Sequence, residues 1–78
     1  MVTLYIGGLP PETDDGRLVS LFGKYGEIKE TRVITTPQGQ CRGFAYVTFA
    51  NDLQAAKARV ALNGRELEGQ QLRVALAT

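Results

Sequence analysis

The chain has 78 residues, enough for one small domain with a modest core. Nine Lys and Arg against eight Asp and Glu leave a net charge of +1, so any polyanion must be held by local placement of charge, not by an overall basic balance. One cysteine and no histidine exclude an internal disulfide and a zinc site, and no apolar run approaches the ~20 residues of a membrane span. A soluble, intracellular protein is expected, with nucleus and cytoplasm equally open.

Val2 to Ile6 alternates, with Val2, Leu4 and Ile6 on one face and Thr3 and Tyr5 on the other. Gly7-Gly8 ends this strand, and Leu9-Pro10-Pro11-Glu12 is a loop. Thr13 reads as a helix N-cap, with Asp14 and Asp15 suiting the positive end of the helix dipole. Leu18, Leu21, Phe22 and Tyr25 fall at i, i+3, i+4 and i+7, an amphipathic stripe that Gly26 closes. Ile28 to Thr35 is a second strand, irregular at its start, with Val33 inward and Arg32 outward. Thr36 to Gln40 holds Pro and Gly and reads as a turn.

Arg42 to Phe49, Arg-Gly-Phe-Ala-Tyr-Val-Thr-Phe, is the third strand. Phe44, Tyr46 and Thr48 share one parity, and Ala45, Val47 and Phe49 the other. Cys41 reads as a small residue at its start. Asn51 caps a second helix that runs to about Leu62 and exits at Asn63-Gly64. That helix carries two partial stripes, Ala55, Ala58 and Leu62, and Leu53, Ala56 and Val60. Gly64 to Gln70 is a polar connection, and Leu72, Val74 and Leu76 alternate with Arg73, Ala75 and Ala77 as a last strand.

The order strand, helix, strand, strand, helix, strand predicts an α+β, ferredoxin-like βαββαβ sandwich: a four-stranded antiparallel sheet with both helices on one face. The aliphatic parity, Leu4, Ile6, Val47, Phe49, Leu72, Val74 and Leu76, belongs under the helices. The bare face then receives Tyr5, Phe44 and Tyr46 together with Arg32, Arg42 and Arg73. Aromatic rings on an open sheet stack on bases, and arginines neutralise phosphate or stack themselves.

These residues resemble the RNA recognition motif family. Arg42 to Phe49 matches the longer signature of that family at every position, and Leu4-Tyr5-Ile6-Gly7-Gly8-Leu9 is similar to the shorter one. The resemblance covers residues 1–78 as a single domain. It implies that Tyr5 and Phe44 each stack on a base, Tyr46 packs on the next base or its sugar, Arg42 holds a phosphate, and Gly43 leaves room beside it. Arg32 and Arg73 are further candidate contacts. The implied ligand is single-stranded RNA, with single-stranded DNA as a second possibility. A monomer with no cofactor and no metal is expected.

The chain departs from the family pattern at three points. The shorter signature usually ends Asn-Leu, and here it reads Gly8-Leu9, which removes an amide near the sheet edge. The turn before Cys41 lacks the basic residues often found there. Arg59 stands where the family usually has an inward aliphatic residue, so either Arg59 snorkels from the edge or the helix turns to bury Val60. In the family register, Leu53, Ala56 and Val60 form an outer apolar strip, and a protein-interaction domain using that strip is the alternative function. An enzyme is disfavoured: there is no His, no nucleophile–base pairing and no paired carboxylates with a cleft.

Overall fold

The computed structural model describes residues 1–77. Strand β1 (Val2–Gly7) lies at the centre of a four-stranded sheet, between β3 (Cys41–Phe49) and β6 (Arg73–Leu76), with β2 (Ile28–Thr35) outside β3. Every neighbouring pair is antiparallel. Helices α1 (Asp15–Phe22) and α2 (Asp52–Leu62) cover one face. The expected βαββαβ sandwich is the observed fold.

The core follows from the alternation. Leu4, Ile6, Ala45, Val47, Phe49 and Val74 point from the sheet into one buried cluster with Leu72 just before β6, Leu18 and Phe22 of α1, and Ala55, Ala58 and Leu62 of α2. Phe22 and Phe49 meet edge-to-face in its middle, with ring centroids 6.5 Å apart. Val33 packs against the cluster, as its parity requires.

The structure corrects four details. Asp14, not Thr13, is the N-cap of α1: its carboxylate accepts the Arg17 N–H at 2.9 Å. Thr13 instead closes a turn by donating its own N–H to the Pro10 carbonyl, and is buried there. Helix α1 ends at Phe22 and a single 3-10 turn, Gly23–Tyr25, carries the chain to Gly26, so Tyr25 stands half-buried beyond the helix proper. Leu76, expected inward, is 58% exposed. It is the last residue of β6, and no described residue covers it, whereas Val74 two positions earlier on the same strand is buried.

The fourth detail is a small hairpin inside the segment read as a polar connection, β4 (Glu66–Leu67) with β5 (Gln70–Gln71). Glu68 and Gly69 both have positive φ, 50° and 85°, which is the backbone of a tight two-residue hairpin turn. Arg17 of α1 reaches across to Glu68 at 2.6 Å. Helix α2 begins at its expected cap, where Asn51 accepts the Gln54 N–H at 3.0 Å. It keeps the family register. Arg59 is half-buried at the edge, while Leu53 and Val60 are 66% and 75% exposed.

Candidate nucleic-acid interface

The face opposite the helices is built row by row from the strand register. Tyr46 of β3 stands directly opposite Tyr5 of β1, with Arg32 of β2 on its other side. Phe44 stands opposite Gly7, which faces Arg73 of β6. Thr48 stands opposite Thr3, with Glu30 beyond it. Cross-strand partners of this kind hold their Cβ atoms about 5 Å apart, which sets the spacing of the rings.

The rings meet as a triangle. Tyr5 and Phe44 have centroids 5.9 Å apart and planes tilted by only 32°. Tyr46 lies 6.0 Å from Tyr5 and 6.2 Å from Phe44, nearly on edge to both, at 64° and 90°. All three are half-buried, so each leaves part of its ring open. Edge-on packing of Tyr46 props the other two rings, which present the more nearly parallel faces.

The arginines surround this triangle without joining it. Arg32, Arg42 and Arg73 are exposed, and among the described residues none of them makes an ion pair. Arg42 is anchored differently: its Nε donates to the Thr35 carbonyl at 3.2 Å across the β2–β3 edge. The anchor arises from an irregularity in β3. Between the pairs Val33–Ala45 and Thr35–Cys41, β3 carries extra residues, so the strand bulges at Arg42-Gly43. Gly43 has φ +103°, whereas a Cβ there would find nothing nearer than the Leu9 carbonyl oxygen at 3.8 Å. The glycine serves the bulge conformation, not the relief of crowding. Cys41 braces the bend from inside: its thiol donates to the Phe44 carbonyl and accepts the Gly43 N–H.

Gly8 has a structural explanation too. Its φ is +79°, and a Cβ there would overlap the Gln71 carbonyl oxygen. The sheet face thus carries three arginines and one glutamate, Glu30, although the whole chain is nearly neutral. Local segregation supplies the positive bias that composition does not show. Thr3 and Thr48, which the alternation puts on this parity, share a hydrogen bond between their hydroxyl oxygens at 2.9 Å. Gly7, read from the sequence only as the end of the strand, also lies on this face, opposite Phe44.

Surface recesses lie elsewhere, one at the α1–β2 edge, one beside the β4–β5 hairpin and one along α2. A flat platform is nonetheless what stacked bases need, because a base presents a face and not a volume. Among the described residues no cluster of His, Cys, Asp or Glu could hold a metal, and no helix is long and apolar enough to cross a membrane.

An open antiparallel sheet that carries a ring triangle and unpaired arginines on its bare face has the layout of the RNA recognition motif class. The profile of the RNA recognition motif family matches residues 4–73, and the chain belongs to that family. It is 41% identical over 71 residues to the glycine-rich RNA-binding protein blt801 of Hordeum vulgare, covering 90% of this chain and 44% of that protein. It is 37% identical over 75 residues to the chloroplastic RNA-binding protein CP31B of Arabidopsis thaliana, covering 95% of this chain and 26% of that protein. The chain therefore spans less than half the length of these relatives. Among solved structures, a Sex-lethal protein–RNA complex superposes with a TM-score of 0.91 at 37% identity, over 97% of this chain and 47% of that one.

Proposed function

We propose that residues 1–78 are a single, non-catalytic domain that binds short single-stranded RNA as a monomer, with single-stranded DNA as a weaker substitute. Tyr5 and Phe44 each take a base, and Tyr46 supports the pair and packs on the neighbouring base or sugar. Arg42, held toward the β2–β3 edge by Thr35, takes a phosphate, and Arg32 and Arg73 add weaker contacts at opposite sides of the sheet. The observation that carries this reading is the shallow 32° tilt of two open rings 5.9 Å apart. Base stacking on such rings contributes about 1–3 kcal/mol per base. With few cations on the face, stacking outweighs electrostatics, and the salt dependence is shallow, near −0.7 in log–log slope for each phosphate neutralised.

The test is a fluorescence-anisotropy titration of mixed-sequence single-stranded RNA with the wild type and with Tyr5→Ala. The expected result is a loss of affinity of about fivefold to 150-fold, the same 1–3 kcal/mol, with the fold intact. Equal affinity in the two proteins refutes the platform.

A second reading adds a protein contact on the outer strip Leu53, Ala56 and Val60. It rests on the shallow groove that Ala56, Lys57, Val60 and Ala61 of α2 line together with Tyr25. Lys57 borders the groove, and the Lys24 ammonium stands 5.7 Å from the Tyr25 ring centroid, so the matching partner is an apolar segment with acidic flanks. Val60→Glu abolishes that contact and spares RNA binding. A partner peptide held equally by wild type and Val60→Glu refutes it.

A further inference from the structure

Gly7 sits on the open face of the sheet, with Tyr5 and Thr3, where no helix covers it. It is nevertheless buried. What covers it is its own neighbour: a Cβ at Gly7 would stand 2.7 Å from the Tyr5 hydroxyl oxygen and 3.1 Å from ring carbon Cε1. No other residue is as near, since the three closest atoms all belong to the Tyr5 ring or its hydroxyl. Tyr5 therefore does not stand upright from β1. Its ring lies along the strand over the gap that Gly7 leaves.

That posture has a consequence for the platform. Gly7 is the cross-strand partner of Phe44, so a ring lying over Gly7 comes alongside Phe44. Tyr46 is the direct partner of Tyr5 itself, yet it meets Tyr5 at a steep 64°. The shallow 32° pairing is made instead with the residue opposite Gly7. We infer that Gly7 is the positioning residue of the stacking platform: the absence of its side chain lays Tyr5 down beside Phe44 and sets the two open ring faces. The inference rests on the reading of Tyr5 and Phe44 as the stacking pair.

Neighbouring Gly8 shows that the two glycines serve different ends. Gly8 needs a positive φ and faces the rigid main chain of Gln71, so any side chain there disturbs the fold. Gly7 has no positive φ and meets only the far end of one side chain. Gly7→Ala is thus accepted by the backbone, and the displaced group is the Tyr5 ring. An alanine in a strand even removes some of the entropy that glycine loses on folding.

The experiment is a double-mutant cycle with Tyr5→Ala, Gly7→Ala and the pair, read by titration with mixed-sequence single-stranded RNA and by thermal melting. Proton NMR of the Tyr5 ring in the free proteins accompanies it. Gly7→Ala is expected to weaken binding about fivefold, part of a full stacking loss, with a melting point no lower than that of the wild type. It is expected to move the Tyr5 ring signals and leave those of Phe22 and Phe49 in place. In the Tyr5→Ala background, Gly7→Ala is expected to have no further effect. Unmoved Tyr5 signals, wild-type affinity in Gly7→Ala, a loss that persists without Tyr5, or a melting point that falls with the affinity each overturn the inference. Wild-type affinity in Tyr5→Ala overturns the stacking reading beneath it.

Discussion

The two faces of the sheet use the same residue types to opposite ends. Under the helices, Phe49 is fully buried and meets Phe22 edge-to-face, each ring enclosed by aliphatic neighbours. On the other side, Tyr5, Phe44 and Tyr46 touch one another and keep part of each ring open. The inner rings gain their free energy on folding. The outer rings gain only part of it, and the remainder becomes available when a flat ligand covers them. A strand with period two divides these tasks residue by residue, so a change at one parity should disturb one task and spare the other.

The sharpest way to break that division is at its inner side. Phe49→Ala removes a fully buried ring and should cost about 3–5 kcal/mol of stability, most of what a domain this small possesses. Urea melting should show the loss, and RNA binding should fall only with the folded fraction. Phe44→Ala is the matching change on the outer side. RNA affinity should drop by about 1–3 kcal/mol, while the melting point stays close to that of the wild type. Smaller still are the arginines. Arg42→Ala, Arg32→Ala and Arg73→Ala should each weaken binding a few-fold, and each that contacts a phosphate should make the salt slope shallower by about 0.7. A titration at several salt concentrations distinguishes these contacts from simple solvated charges. Val60→Glu, on the exposed side of α2, should leave RNA affinity unchanged and move stability by no more than about 0.5 kcal/mol.

Much of this division was legible in the sequence, because alternation is a local signal. The parity of β1 and β3 placed Leu4, Ile6, Val47 and Phe49 inside and Tyr5, Phe44 and Tyr46 outside, and the structure agrees at each of these positions. Other features depended on contacts between distant segments. Leu76 has the same parity as the buried Val74, but it is the last residue of β6, and its cover depends on how far distant segments extend over the end of the sheet. Thr13 has the right chemistry for a cap, but the preceding turn engages its N–H and passes the role to Asp14. The bulge at Arg42-Gly43 appears only when β3 is laid against β2. The two glycines after Ile6 look alike in sequence, yet one faces the Tyr5 ring and the other the Gln71 main chain. The Glu68-Gly69 hairpin carried a usable signal, a glycine in a two-residue turn, which the polar character of the segment masked.

Binding on the ring-bearing face of the sheet can be read residue by residue, by titrating the labelled protein with mixed-sequence single-stranded RNA and following every backbone amide by NMR. Shifts should concentrate in β1 and β3, around Tyr5, Gly7, Phe44 and Tyr46, with smaller shifts at Arg32 and Arg73 and none along α2. Shifts confined to α2 and the Tyr25 groove, with β1 and β3 unmoved, would contradict binding on that face.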